Sequence, residues 1–162
     1  MRVFLSYAVG PVDSVIASRF RAVAAAYDVS VLLPDRTLIA GNGLSADTLK
    51  KIKQSDAVIG LLTRAAQVIS VNLVNLELQT AAQAGKPIIA LAEEGVQVQG
   101  IPENQIVSFN PMIPQAHEPA LINALARIHK EEQKKNDLTA LVWIAGIALG
   151  MVALSELLGD KN

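Results

Sequence analysis

Short apolar runs alternate with longer amphipathic segments over the first 136 residues. The short runs are largely uncharged, which is typical of strands covered on both faces of a parallel sheet. They predict strands at 3–5, 29–33, 57–62, 88–91 and 106–109. Between these runs, apolar residues recur at helical spacing and predict helices at 15–27, 46–54, 71–84 and 118–135.

Individual residues at the segment ends support these bounds. Ser45 is a predicted N-cap, Gly85 occupies a C-terminal cap position, and Pro34 ends the second strand. In the first helix, Val15, Phe20, Val23 and Tyr27 recur at spacings of roughly 3 to 5, near the helical period.

Strands that alternate with helices predict an α/β fold, with helices on both faces of a parallel sheet. For five strands the flavodoxin-like order 2-1-3-4-5 is the default, and ligands bind beyond the carboxyl ends of the strands. The loops Ser6–Asp13, Pro34–Gly43 and Thr63–Ser70 should therefore surround one crevice.

The composition is unusually apolar, with 51% hydrophobic residues, 18% charged residues and a mean hydropathy of +0.35. Soluble domains carry about 25% charged residues. The excess lies in residues 138–155, an uncharged stretch of 18 residues that would span roughly 27 Å as a helix. This length predicts a membrane-spanning helix, and a buried helix at the centre of an oligomer is the alternative.

The flanks of the apolar stretch predict its orientation. Lys130, Lys134 and Lys135 precede it, whereas only Lys161 follows it. Because cytoplasmic flanks collect Lys and Arg, residues 1–136 should form a cytoplasmic domain, with a single transmembrane helix at 137–158 and a short tail at 159–162. Within that helix, Gly146 and Gly150 place two small residues on one face and predict self-association.

The side-chain inventory narrows the possible chemistry. The chain has no cysteine and only two histidines, His117 and His129, so thiolate chemistry is excluded and no metal site is expected. A net charge of -1 disfavours nucleic acid as a partner. Neither a glycine-rich phosphate loop nor a converging Ser-His-Asp set follows a predicted strand.

One acidic residue stands apart from the others. Glu77 lies in an otherwise uncharged stretch between Arg64 and Lys86, early in the helix that follows a central strand. Burial raises the pKa of a carboxyl group and makes its ionisation depend on its neighbours, as in many functional carboxylates. We therefore predict a functional role for Glu77 over that of an ordinary solvated glutamate.

Several segments together resemble bacterial Toll/interleukin-1 receptor (TIR) domains over roughly residues 1–111. FLSYA at 4–8 resembles their first conserved box, and AVIGLLT at 57–63 resembles their third strand. The intervening matches are Asp35, Gly43-Leu44, Leu49, Ile52 and Ser55-Asp56; the later ones are Ser70, Leu73-Val74, Glu77 and AAQAGKPIIAL.

The resemblance implies an NAD⁺ nucleosidase that cleaves the nicotinamide–ribose bond, in antiphage defence or signalling. Glu77 maps onto the catalytic glutamate of this family, with Leu73 in place of the family's tryptophan. NAD⁺ would be the substrate, no cofactor would be needed, and the loop 35–44 would gate the site and mediate assembly. The implied substrate-binding residues are Phe4, Ser6, Tyr7, Asp35, Arg36, Gly43, Arg64, Ser70 and Leu73. Of these, Arg36 and Arg64 would contact the pyrophosphate.

Two further functions are compatible with the sequence. A non-catalytic TIR-like module could bind a nucleotide or another copy of the domain and act through its membrane segment. A nucleoside deoxyribosyltransferase would share the flavodoxin-like sheet and a nucleophilic glutamate. Liposome leakage that survives Glu77→Ala would indicate the former, and base exchange on deoxynucleosides the latter.

Overall fold

The computed structural model describes residues 1–8, 10–35, 43–65, 68–98 and 100–133; for 68–70, 114–118 and 129–133 it describes the backbone alone. Strands and helices alternate along this part of the chain. The strands are β1 (Arg2–Tyr7), β2 (Ser30–Leu32), β3 (Ala57–Leu62), β4 (Ile88–Glu93) and β5 (Ile106–Phe109). The helices are α1 (Pro11–Ala26), α2 (Ala46–Gln54), α3 (Val68–Gln83) and α4 (Pro114–Gln133).

The strands form one parallel sheet in the order β2-β1-β3-β4-β5, which confirms the predicted flavodoxin-like fold. The chain reverses its direction of travel through the sheet between β1 and β3. In that central pair Ser6 lies opposite Gly60 and Tyr7 lies opposite Leu61. The carboxyl ends of β1 and β3 are therefore the expected location of a ligand site.

Two apolar clusters cover the two faces of the sheet because successive strand residues point in opposite directions. The cluster on the α1 and α4 face includes Val3, Leu5, Ile16, Phe20 and Leu125. The cluster on the α2 and α3 face includes Phe4, Ile52, Val58, Val74 and Leu78. Each cluster anchors helices whose ends border the carboxyl edge of the sheet.

Local capping explains several of the observed bounds. The Ser45 side chain accepts a hydrogen bond of 3.1 Å from the Thr48 backbone N–H, which confirms the predicted N-cap of α2. Gly85, after α3, has a φ of +65°, a conformation that glycine adopts without steric cost. Both signals are local, which is why they are visible in the sequence.

The predicted start of α1 is wrong, and Val15 lies off the buried face of this helix. Val15 is 53% exposed, whereas Asp13, Ile16, Phe20 and Ala24 are buried. Gly10 is the N-cap and Pro11 occupies the first turn, so the helix starts four residues before the predicted Val15. The buried stripe follows the spacing from Asp13, and Val15 consequently turns outward.

The predictions for the C-terminal segment lie outside the described residues. These are the helix at 137–158, the Gly146 and Gly150 face and the tail at 159–162. Within the described residues, no helix is both long enough and apolar enough to cross a bilayer.

Candidate functional site

Glu77 and Ser6 form the buried polar pair at the centre of the candidate site. Glu77 lies on α3 and Ser6 on β1, and each is 0% exposed. The Ser6 hydroxyl donates a hydrogen bond to Glu77 Oε2. The predicted crevice residue Glu77 therefore lies directly against the strand that leads to the switch point of the sheet.

Gly60 explains how α3 comes close enough to β1 for this contact. A Cβ atom at Gly60 would lie 2.9 Å from Leu78 Cδ1 and 3.0 Å from Leu78 Cδ2. Side chains do not pack at such distances, so the absence of a side chain at this position of β3 lets α3 approach the sheet. Leu78 follows Glu77 directly. Its side chain packs over the bare backbone of Gly60, and this packing brings the Glu77 side chain within hydrogen-bonding distance of Ser6.

The surroundings of the pair are largely apolar. Phe4, Val58, Leu62 and Val74 all belong to the cluster that covers this face of the sheet. Burial of an ionised carboxylate in such an environment costs several kcal/mol unless hydrogen bonds or charges compensate. The Ser6 hydroxyl supplies one such bond, and Glu77 is held in one position by it.

A second buried carboxyl lies near the carboxyl edge, on the opposite face of the sheet. Asp13, in the first turn of α1, is 0% exposed. Its Oδ1 accepts a hydrogen bond of 2.7 Å from Thr63 Oγ1, directly after β3. This contact joins the start of α1 to the end of β3 across the switch point.

Asp13 has an altered acidity. Burial raises the pKa of its carboxyl above the usual value of 3.8, and the nearby negative charge of Glu93 adds to this effect. The hydrogen bonds from Thr63 and from the Asp13 backbone act in the opposite direction. Desolvation dominates, so the protonated form of Asp13 is favoured relative to an exposed aspartate.

Arg64 holds two turns together at the same edge. Its backbone N–H donates to Glu93 Oε2 at 2.7 Å, and its side-chain nitrogen Nε lies 3.7 Å from Glu93 Oε1. Its guanidinium also donates to the Glu94 carbonyl. The structure thus places Arg64, a predicted pyrophosphate ligand, in contacts with the end of β4.

The other predicted substrate-binding residues are distributed around the edge. Phe4 is 0% exposed within the apolar cluster, Tyr7 is half-buried beside the opposite cluster, and Leu73 is half-buried on α3. The Asp35 backbone N–H donates to Thr48 Oγ1 at 3.2 Å, and Gly43 precedes α2. Arg36 and the Ser70 side chain lie outside what the structure describes.

Two residues of this edge, Asp13 and Thr63, were not predicted as site residues from the sequence. Asp13 is the first acid after the first strand and follows a Gly-Pro helix start, and that signal was available. Its contact with Thr63 spans 50 positions of the chain and arises only from the tertiary fold.

Two cavities among the described residues lie away from the Ser6–Glu77 pair. One, of about 170 Å³, is lined by Asn75, Leu78, Gln79, Ala82, Ile88, Gly100 and Ile101. Another, of about 150 Å³, borders the amino end of β4 at Lys86 and Pro87. Neither lining includes Ser6 or Glu77, and the described side chains form no cluster of three or more His, Asp or Glu suited to a metal ion.

Comparison with solved structures adds a likeness of fold. The fold is similar to that of a 2-deoxyribosyltransferase from Bacillus psychrosaccharolyticus, with a TM-score of 0.52 and 16% sequence identity. The match covers 68% of this chain and 86% of that chain, which is described as a biocatalyst for nucleoside synthesis. At this identity the likeness supports the α/β fold alone. No protein-family model and no curated protein matches the sequence.

Proposed function

We propose that this protein cleaves the N-glycosidic bond of a nucleoside or nucleotide, with Glu77 as the catalytic carboxylate. The observation that carries the proposal is the Glu77 side chain, fully buried at the switch point and held by the Ser6 hydroxyl. A ribosyl C1′ atom that loses its base develops positive charge. A fixed carboxylate next to it either stabilises that charge or forms a bond to C1′.

The free-energy cost of burying the Ser6–Glu77 pair supports a functional role for Glu77. A glutamate among Phe4, Val58 and Val74 stabilises the fold less than a well-packed apolar side chain of similar volume would. Proteins retain such buried polar groups mainly at functional sites, where the group is needed for chemistry although it stabilises the fold less. Ser6 is the penultimate residue of β1, so the pair lies near the carboxyl edge that this sheet topology favours for ligands.

Nucleosides are the first candidate substrates. The similar fold belongs to a 2-deoxyribosyltransferase, which matches the chemistry proposed for Glu77. Transfer of a 2-deoxyribosyl group needs a base as leaving group, a carboxylate at C1′ and a second base as acceptor. If water takes the place of the acceptor, the same site acts as a hydrolase.

NAD⁺ is the second candidate substrate. The resemblance of FLSYA at 4–8 and of the Glu77 segment to TIR domains supports it. The bond to be broken, between nicotinamide and ribose, is also N-glycosidic, so Glu77 would have the same role. Arg64, already bound to Glu93 and Glu94, is not needed for this proposal.

A membrane anchor at 137–158 fits the same arrangement. Helix α4 begins after β5 at the carboxyl edge of the sheet and, packed against β4 and β5, returns towards the amino edge. Self-association through this anchor would concentrate the domains at the membrane.

The proposal is tested with the full chain in detergent and its variant Glu77→Gln. Each is incubated with NAD⁺ and with 2′-deoxynucleosides, with and without a second free base, and released or exchanged base is measured by chromatography. Glu94→Gln is the matched control, because Glu94 is exposed in the turn after β4. We expect activity in the wild type and in Glu94→Gln, and its loss in Glu77→Gln.

The pattern of products assigns the activity. Base exchange would indicate a deoxyribosyltransferase, and nicotinamide release would indicate an NAD⁺ nucleosidase. Equal activity of Glu77→Gln and wild type would reject Glu77 as the catalyst. A wild type that is inactive on every substrate but causes liposome leakage on clustering would instead support the non-catalytic module.

A further inference from the structure

The cavity of about 170 Å³ lies against α3, and we call it the α3 cavity. Its lining, given above, combines one flank of α3 with Ile88 and with the loop residues Gly100 and Ile101. Ile88 is the first residue of β4, whereas Ser6 is close to the end of β1. The α3 cavity is therefore a separate site from the Ser6–Glu77 pair, nearer the amino edge of the sheet.

None of the described residues that line the α3 cavity carries a charge. Leu78, Ile88 and Ile101 form its apolar side, and its polar side chains are the amides of Asn75 and Gln79. An ion that entered would lose part of its hydration without gaining a counter-charge, which is unfavourable. The lining therefore favours an uncharged ligand.

The two amides restrict the ligand further. Asn75 and Gln79 are four positions apart on α3, so both lie on the same side of the helix. Each amide offers N–H donors and a carbonyl acceptor. A ligand edge that carries a donor beside an acceptor, such as a ring lactam or a carboxamide, complements this pair.

The size of the α3 cavity limits the ligand to a small ring. An apolar cavity of about 150 Å³ in another protein accepts benzene. A volume of about 170 Å³ is therefore sufficient for one six-membered ring with its substituents. The apolar side chains of the lining would pack against the ring, while the two amides bind its polar edge.

We propose that the α3 cavity binds an uncharged six-membered heteroaromatic ring with an amide edge. Pyrimidine bases and nicotinamide share this chemistry, and both are leaving groups of the N-glycosidic bonds considered above. Binding at the α3 cavity does not depend on catalysis by Glu77. That the ligand is a base released by this protein rests on the proposed function.

Leu78 connects the α3 cavity with the proposed catalytic carboxylate. Its side chain lines the cavity and also packs over Gly60, and Glu77 is the preceding residue. A ring in the cavity adds contacts to Leu78 in its observed position. Ring binding and the close approach of α3 to β3 therefore favour each other. By the same reciprocity Gly60→Ala, which displaces α3 or Leu78, should weaken ring binding.

Methyl NMR of the full chain in detergent measures the binding. Thymine and nicotinamide are titrated separately into protein labelled at its Ile and Leu methyl groups. We expect shifts at Ile88 and Ile101, which line the α3 cavity, and none at Ile16, which lies in the cluster on the opposite face of the sheet.

Nicotinate tests the requirement for a neutral ligand. It has the same ring as nicotinamide, with a carboxylate in place of the carboxamide. Because the described lining supplies no cation, nicotinate should bind roughly 10-fold or more weakly than nicotinamide. Equal dissociation constants for the two compounds would overturn the proposed chemistry of the site.

Two pairs of matched variants locate the binding site on α3. Gln79→Leu and Asn75→Leu each remove one amide of the cavity and should weaken binding by roughly 5- to 10-fold. Gln83→Leu and Asn72→Leu are the controls, because these amides are exposed on the same helix outside the lining. They should leave the dissociation constant unchanged.

The preferred ring indicates the source of the ligand. Tighter binding of thymine indicates a pyrimidine base, and tighter binding of nicotinamide indicates a base derived from NAD⁺. The absence of shifts at Ile88 and Ile101 with either ring overturns the proposal. Equal binding by Gln79→Leu and the wild type also overturns it, and unaltered binding in Gly60→Ala overturns the connection through Leu78.

The same titration of Glu77→Gln keeps this inference apart from the proposed function. A variant that binds the ring as the wild type does, yet releases no base from a substrate, supports both. Ring binding together with wild-type activity of Glu77→Gln overturns the proposed function and leaves the α3 cavity as a binding site. Loss of ring binding in Glu77→Gln would place the ring at Glu77 and overturn the present inference.

Discussion

The Ser6 hydroxyl in β1 donates its hydrogen bond to the Glu77 carboxylate of α3, 71 positions further along the chain. Both side chains are fully buried, and they meet where the order of the strands changes direction. A strand thus orients an acid that belongs to a helix on one face of the sheet. The first prediction concerns this contact.

Substitution of Ser6 by Ala should lower kcat and leave KM nearly unchanged. A hydrogen bond to a charged group contributes about 1.5–3 kcal/mol, equivalent to roughly 10- to 100-fold in rate if it is needed in the transition state. Steady-state kinetics of base release measure both constants. Ser6→Thr is the matched control, because it keeps the hydroxyl and should retain most of the activity. An unchanged kcat in Ser6→Ala would show that Glu77 does not depend on this bond.

Substitution of Gly60 by Ala should destabilise the protein by about 1–3 kcal/mol in urea unfolding. The added Cβ would lie 2.9 Å from Leu78 Cδ1, so α3 or the Leu78 side chain must move. In a Leu78→Ala background the contact atoms are absent, and the penalty of Gly60→Ala should largely disappear. An equal loss of stability in both backgrounds would show that Gly60 does not stabilise the protein by leaving space for the Leu78 side chain.

Asp13 predicts a particular pH dependence of stability. Its folded-state pKa is raised, so the folded protein holds the proton more tightly than the unfolded chain does. The resulting stabilisation is fully present below the usual value of 3.8 and is lost as pH rises through the folded-state pKa.

The variant Asp13→Asn lacks this titration. The free energy of unfolding of the wild type, relative to that of Asp13→Asn, should therefore decrease between about pH 4 and the folded-state pKa and then level off. Chemical denaturation at a series of pH values measures the difference, with Glu94→Gln as a control that should remain parallel to the wild type. A constant difference, or one that increases with pH, would contradict the assigned shift.

Arg64 is expected to support the edge and not to bind a diphosphate. Its side chain is 64% exposed and pairs with Glu93, so Arg64→Ala should change the stability by about 1 kcal/mol or less. KM for NAD⁺ and KM for an uncharged nucleoside should change by the same small factor. A selective increase in KM for the diphosphate-containing substrate would restore the pyrophosphate role predicted from the sequence.

The sequence predicts the scaffold more completely than the site. The bounds of α2, β3 and β5 agree with the predictions because they depend on local signals, such as the Ser45 cap and uncharged strand runs. α1 differs because the Gly10-Pro11 start was not recognised, and α3 begins at Val68 instead of residue 71. Local sequence signals determine where the helices and strands lie. A predicted end differs from the observed end by a few residues where a capping residue was not recognised.

Glu77 could be identified because it is an isolated acid in an apolar helix that follows a central strand. Ser6 was predicted to lie in the same site, but its hydrogen bond to Glu77 was not, because this contact depends on the β1–β3 register and on the close approach of α3 at Gly60. Asp13 is a similar case: its hydrogen bond from Thr63 and the effect of Glu93 on its pKa both involve residues that are remote in sequence. Partners of this kind follow from tertiary packing, which local patterns do not encode.

The most direct test is the rate of base release by Glu77→Gln relative to the wild type, for the best substrate of the wild-type chain. Glutamine has nearly the same size and can still accept the Ser6 hydrogen bond, so urea unfolding should show a folded variant. We predict a fall in kcat/KM of roughly 1,000-fold or more, since the amide supplies neither the negative charge nor the nucleophile. A folded Glu77→Gln protein with wild-type kcat/KM would contradict the central claim.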